Sequence, residues 1–133
     1  MNPRERFAAS PVARLATVGP DGQPHLVPIV FVLLEDTILH GVDAKPKRHT
    51  ELRRLANLAA NPKASVLVDH YSDDWSTLWW VRADGLARVV DPAGAEGRRA
   101  VELLTARYPR FRLAGRLVAI DVFTWASWSA TPE

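Results

Sequence analysis

Read from the N-terminus, the chain changes its hydrophobic period several times. Pro3 to Ser10 carries charges around a few apolar positions and reads as one short amphipathic helix closed by Pro11. The stretch "VARLATVGPDGQPHLVPIVFVLLEDTILHG" is rich in Val, Ile, Leu, Phe and Thr. It is cut by turn residues at Gly19-Pro20-Asp21-Gly22 and at Glu35-Asp36. Its pattern predicts a three-stranded meander over Ala13 to Val18, Pro24 to Leu33 and Thr37 to Gly41. Pro28 lacks the N–H a ladder needs, so that point belongs on an edge, at a bulge, or beside something other than a strand. From Lys47 to Asn61 the period becomes helical, with Leu52, Leu55, Ala56 and Ala59 on one face and Arg53, Arg54 and Asn57 on the other. Asn61-Pro62 ends it.

"KASVLVDHY" then reads as a strand, "SDDW" as a polar turn, and "TLWWVRADGLARVV" as one long strand or two, bent at Gly85. Asp91-Pro92 is a cap and first-turn pair for another helix, with Ala100, Val101, Leu104 and Tyr108 on one face and Pro109 as its stop. A last strand runs from Arg116 to Thr124, and "WASWSATPE" leaves the core as an aromatic-bearing tail. The expected fold class is mainly β with flanking helices, an antiparallel barrel or strongly curled sheet with helices at its ends. At 133 residues it forms one domain, 1–133.

Composition narrows the chemistry. The chain has no cysteine, which excludes disulfides and every thiolate site. "MNPRERFAAS" does not read as a signal peptide, and the longest apolar run, Leu26 to Leu34, is far short of a membrane span. A cytoplasmic protein is expected. Formal net charge is only +2, so the placement of the charge matters more than its sum. His25, His40, His49 and His70 lack paired ligand spacing, so no metal site is expected. There is no Gly-x-Ser-x-Gly elbow, Gly-x-Gly-x-x-Gly or P-loop, and Asp73-Asp74 reads as a solvated turn. An enzyme of this composition would rely on a cofactor for its hard chemistry.

Two stretches stand out. In "DAKPKRHTELRR", Lys45, Lys47 and Arg48 sit on a proline turn at the entry to a helix, where side-chain charge and free amides can hold a phosphate. Ordinary solvated lysines are the alternative there, and Arg53 and Arg54 fit that alternative well. In "WSTLWWVRADG", adjacent Trp79 and Trp80 on a strand face opposite sides. At least one is expected outside the core, against a partner or a flat ligand, unless both sheet faces are covered, one by core and one by helix. Trp125 and Trp128 are further candidates for capping a cavity or docking across an interface.

The segments "ARLATVGPDGQPHLVPIVFVL", "DAKPKRHTELRRLANLAANPKASVLVD" and "DGLARVV" resemble, in order and spacing, the split-barrel flavin- and deazaflavin-binding proteins related to pyridoxamine phosphate oxidase. Within them the chain is most similar to the actinobacterial branch of coenzyme F420-dependent oxidoreductases. The resemblance implies an antiparallel split β-barrel of the FMN-binding kind and a homodimer with cofactor at the subunit interface. It implies that Leu26, Val27, Pro28 and Ile29 run along the cofactor ring through their backbone, over a floor formed by Leu39 to Val42. Lys45, Lys47 and Arg48 would meet its phosphate, and Trp79 or Trp80 of the other subunit would pack near the ring. Counterparts of the pyridoxal phosphate-site residues of the true oxidases are missing, which disfavours that reaction. The implied activity is hydride transfer from a reduced deazaflavin to an electron-poor double bond of a small molecule. No catalytic side chain is assigned, and His25 is a candidate proton donor beside the ring strand. The alternatives are an FMN protein of the same fold, a cofactor carrier without turnover, and a single-stranded nucleic-acid module in which the basic turn tracks phosphates.

Overall fold

The computed structural model of the chain describes residues 1–43 and 49–131. Its elements in order are α1 (Pro3–Ala9), β1 (Ala13–Val18), β2 (Pro24–Ile29), β3 (Phe31–Leu34), β4 (Thr37–Asp43), α2 (His49–Ala60), β5 (Lys63–His70), β6 (Trp79–Val90), α3 (Ala95–Arg107) and β7 (Leu113–Ser129), with one 3-10 turn at Trp75–Thr77. The strands form one antiparallel seven-stranded sheet in the order β2-β1-β5-β6-β7-β4-β3. β2 and β3 are consecutive in sequence yet lie at opposite edges, so the sheet curls around until one residue, Val30, joins the edges. This is a split barrel, closed by the chain and not by a ladder.

The predicted strand Pro24 to Leu33 is therefore two strands. β2 pairs only with β1 and β3 only with β4, so the expected meander does not form. Local hydrogen bonds hold the corner. Tyr108 Oη lies 2.9 Å from the Phe31 carbonyl and 3.0 Å from that of Pro11, and it accepts from Phe31 N at 3.3 Å. His40 Nδ1 sits 3.1 Å from the Val30 carbonyl. Pro28 falls on the edge strand, where its missing N–H costs nothing.

Two apolar clusters explain the layering. Inside the curl, Leu15, Ile29, Phe31, Val66, Val81 and Ile120 pack with Phe7 of α1 and Leu58 of α2, which plug the barrel. Outside it, Val32, Leu39, Val90, Leu117 and Ala119 are covered by Ala100 and Leu104 of α3. α1 starts on a capping box, Asn2 Oδ1 accepting from Glu5 N at 2.9 Å and Glu5 Oε1 from Asn2 N at 3.0 Å, with Pro3 in the first turn. β6 is one strand with a register shift at Asp84/Gly85, where a Cβ on Gly85 would stand 2.5 Å from the Asp121 carbonyl.

Three further expectations change. Among the described side chains of α2, those of Asn57 and Leu58 are buried while Ala56 and Ala59 are exposed, because Asn57 Nδ2 donates to Thr17 Oγ1 at 3.2 Å beneath the β1–β2 turn. Asp91 caps a turn through Ala93 N, and α3 begins later, after Gly94. The supposed tail is the far end of β7, laddered to β6 as far as Ser129↔Trp79, because β6 is long enough to pair with it. Among the described residues no helix is long and apolar enough to cross a membrane, and no three His, Asp or Glu side chains gather as a metal site.

Candidate functional site

α3 packs over the outer side of β3, β4 and β7 and leaves the outer side of β1, β2 and β5 uncovered. On that uncovered side, cross-strand register arranges the outward side chains in rows. One row reads Leu26, Ala16, Ser65, Asp84, and the next Pro28, Arg14, Leu67, Arg82. A third carries Asp69, Trp80 and Trp128. Adjacent strands are about 4.8 Å apart, so small residues in the middle of a row leave a trough between larger neighbours. Ala16 and Ser65 are those small residues. The result is a cavity of about 600 Å³ reaching from Leu26 to Trp80, with Arg14, Asp69, Tyr71 and Arg82 around it. A second cavity of about 510 Å³ shares Ala16, Ser65 and Arg82 and continues the trough toward Lys63 and Phe123.

The polar groups of the trough differ in how fully they are engaged. Arg82 grips Asp84 through Nε at 3.0 and 3.3 Å and an Nη at 3.2 Å, while Ser65 Oγ donates to the same carboxylate at 2.7 Å. The Arg82 guanidinium also stands 6.0 Å from the Trp80 ring centroid. Arg14 reaches Asp69 by one contact of 3.4 Å, longer than a strong charge-assisted bond. The apolar rim is unusually open: Leu26 is 68% exposed, and Leu67 and Trp128 are exposed as well. Contiguous exposed apolar side chains of this kind are a feature of interaction surfaces in general.

Of the residues anticipated from sequence, Leu26 and Trp80 meet in this trough. Pro28 is exposed beside it, whereas Val27 and Ile29 point into the barrel core. Trp79 lies on the inner side, stacked at 6.4 Å on His70 and at 5.2 Å from the Arg6 guanidinium carbon, so within one chain it is apart from Trp80. Leu39, His40 and Gly41 are buried, with Leu39 under α3. Lys45, Lys47 and Arg48 lie outside the described residues, as do the side chains of Leu52, Arg53 and Arg54. His25 lines a small pocket of about 230 Å³ with Asp21, Gln23 and Asn57 at the β1–β2 turn, and its Nδ1 is buried without a hydrogen-bond partner. Trp125 packs edge-on against Phe7 and donates from Nε1 to Asp36 at 3.2 Å, which gives it a structural place. Arg14, Leu67, Asp69, Tyr71 and Arg82 were not anticipated. Alternation in "ARLATV" and "KASVLVDHY" marks most of them as outward, but only the register brings them together.

Comparison with known proteins gives a family and a fold. The family model described as pyridoxamine 5'-phosphate oxidase matches residues 3–128. A crystal structure of a conserved hypothetical protein from Mycobacterium tuberculosis superposes with a TM-score of 0.76 at 26% identity, covering 98% of this chain and 86% of that one. An FAD-binding protein from Mesorhizobium loti gives 0.71 at 20% identity over 94% and 90% of the two chains. The heme storage protein HutZ from Vibrio cholerae gives 0.72 at 14% identity over 96% and 93%. No curated protein sequence matches.

Proposed function

Because the chain belongs to the pyridoxamine 5'-phosphate oxidase family, whose split-barrel fold it has, we propose that it is a cytoplasmic oxidoreductase dependent on coenzyme F420. In this reading residues 1–133 form one cofactor-binding domain, and two copies make a homodimer with cofactor between them. When bound, a reduced deazaflavin supplies a hydride to an electron-poor double bond of a small molecule.

The observation that carries the reading is the open edge of β2. It pairs on one side only, and it presents exposed Leu26 and Pro28 next to a trough whose other wall is Trp80. A flat heterocycle with donors and acceptors along its rim fits such an edge, because unladdered backbone groups need partners and the apolar side chains supply the ring wall. The backbone of Leu26 to Ile29 would orient the ring. Lys45, Lys47 and Arg48, between β4 and α2 in sequence, would neutralise the phosphate. For the tryptophan that the other copy would bring to the ring, Trp80, on the outer face, suits the contact better than Trp79, which packs against the barrel core. The second copy would cover the remaining apolar surface, where Trp128, Leu86 and Phe123 are exposed. Its work is to exclude water and hold the reactants in one geometry.

The test is a fluorescence titration with F420 and with FMN over a salt series, for the wild type and for a Lys45→Ala, Lys47→Ala, Arg48→Ala variant. Salt-sensitive F420 binding, weakened at least tenfold by the triple change, is the expected outcome. A preference for FMN would move the chemistry to a flavin, a reading favoured by the FAD-binding relative. Tight binding without turnover of any acceptor would make the protein a carrier, as the heme storage relative suggests. Binding of neither cofactor refutes the proposal.

A further inference from the structure

The trough on the outer face has a chemistry of its own. Its middle is floored by Ala16, Ser65 and Leu67 and walled by Leu26 and the Trp80 ring, so a thin apolar body fits between them. Two guanidinium groups and one carboxylate, Asp69, face the same cavity. Asp84 is already saturated by Arg82 and Ser65. Among the described residues Arg14 makes only the single long contact with Asp69, which leaves most of its five donors for something else. An arginine fork next to an aromatic face and small residues matches one ligand class: a flat conjugated body bearing one carboxylate.

We propose that this trough binds a planar conjugated monocarboxylate, its ring or double-bond system against Trp80 and its carboxylate on Arg14. As the hydride acceptor it deepens the function proposed above and rests on that reading for its role, whereas the binding itself does not require the cofactor. Arg82, held by Asp84, stands beside the Trp80 ring and leaves Arg14 as the arginine with donors to spare. The spare donors of Arg14 select an anion, and the small floor residues Ala16 and Ser65 admit a flat body.

The experiment is isothermal titration calorimetry of the cofactor-free protein with cinnamate. The comparison ligands are cinnamyl alcohol, which lacks the charge, and hydrocinnamate, which lacks the rigid plane. Cinnamate is expected to bind more tightly than either. Arg14→Gln should weaken cinnamate by roughly tenfold or more while leaving the alcohol unchanged, as expected for loss of a charge-assisted bond. Trp80→Leu should weaken both. Arg14 is exposed, so unchanged thermal unfolding of its variant separates a lost ligand contact from misfolding. Equal binding of acid and alcohol, or an Arg14→Gln variant that binds cinnamate normally, overturns the proposal. So does sedimentation showing that Leu67→Glu splits a dimer in a protein that binds no cinnamate, which would give the trough to a second copy. The F420 titration on the same preparation reports independently, so failure of the trough and failure of the cofactor reading are distinct results.

Discussion

Removing one hydroxyl group at the corner between β2 and β3 tests how the split in the barrel is held. Tyr108 Oη engages three backbone groups at 2.9, 3.0 and 3.3 Å, on Phe31 O, Pro11 O and Phe31 N. Its single proton serves one carbonyl at a time, so Tyr108→Phe deletes about two hydrogen bonds next to the fully buried Phe31. Each is worth about 0.5–1 kcal/mol net at this partly exposed corner, so the loss is about 1–2 kcal/mol. For a chain of this size that lowers the thermal midpoint by roughly 3–8 °C. Calorimetry measures the midpoint. Hydrogen exchange supplies the local signature, with faster exchange on both sides of Val30 in β2 and β3 and little change in the β6–β7 ladder. A midpoint within roughly 1 °C of wild type, or exchange that rises uniformly, would show that the corner is held by packing alone.

Two other perturbations probe the same frame. Gly97 lies in α3 against the Asp91 turn, where an added Cβ would stand 2.0 Å from Asp91 O and 2.6 Å from Pro92 Cα. Although Ala normally favours a helix, Gly97→Ala should destabilise by about 1–3 kcal/mol in urea titration, and a neutral or stabilising result would mean the turn yields freely. Arg88 donates to both oxygens of Glu96 at 2.6 and 2.8 Å and of Asp121 at 2.7 and 3.1 Å, joining the first turn of α3 to β6 and β7. Those bonds hold both carboxyls below their ordinary values of 4.5 and 3.8, with Thr37 adding to the effect at Asp121. Because the folded-state values are depressed, the stabilisation is complete above those ordinary values and is lost as pH falls through the depressed ones. The gap between wild type and Arg88→Gln, about 1 kcal/mol at neutral pH for so exposed a network, should therefore close on acidification, and a gap that stays constant would assign it to packing.

Much of the frame can be read from local residue choices. The Gly19-Pro20-Asp21-Gly22 turn, the Pro28 edge, the bend at Gly85 and the strand after Asn61-Pro62 each follow from one or two residues whose backbone preferences leave little freedom. What escaped depends on distant partners. Nothing between Pro24 and Leu33 announces a break at Val30, because its cause is Tyr108, far along the chain. Asn57 looks like a solvent-facing residue until Thr17 is placed beneath it. The tail after Thr124 has the composition of a loose end, and it is a strand only because β6 extends back to Trp79. The trough escaped for the same reason: Arg14, Leu67 and Arg82 are unremarkable one at a time and become a site through register.

Register also ties the two surfaces of the sheet to each other. Along β1 and β5 the inward residues Ala13, Leu15, Thr17, Ala64, Val66 and Val68 are buried, while their neighbours Arg14, Ala16, Ser65, Leu67 and Asp69 build the trough. Since strand side chains alternate strictly, a change at an outward position alters charge and shape without touching the barrel core. α3 takes up the outer surface over β3, β4 and β7, so the only sheet face left for recognition among the described residues is the one beside the open edge of β2. Stability and specificity therefore reside on opposite sides of the same strands. A shift of one residue in the β1–β5 register would exchange them, burying Arg14 and exposing Leu15. The ladder that places the arginine is thus one that also keeps the core intact, and a ligand bound on the outer face rests on backbone whose register the core fixes.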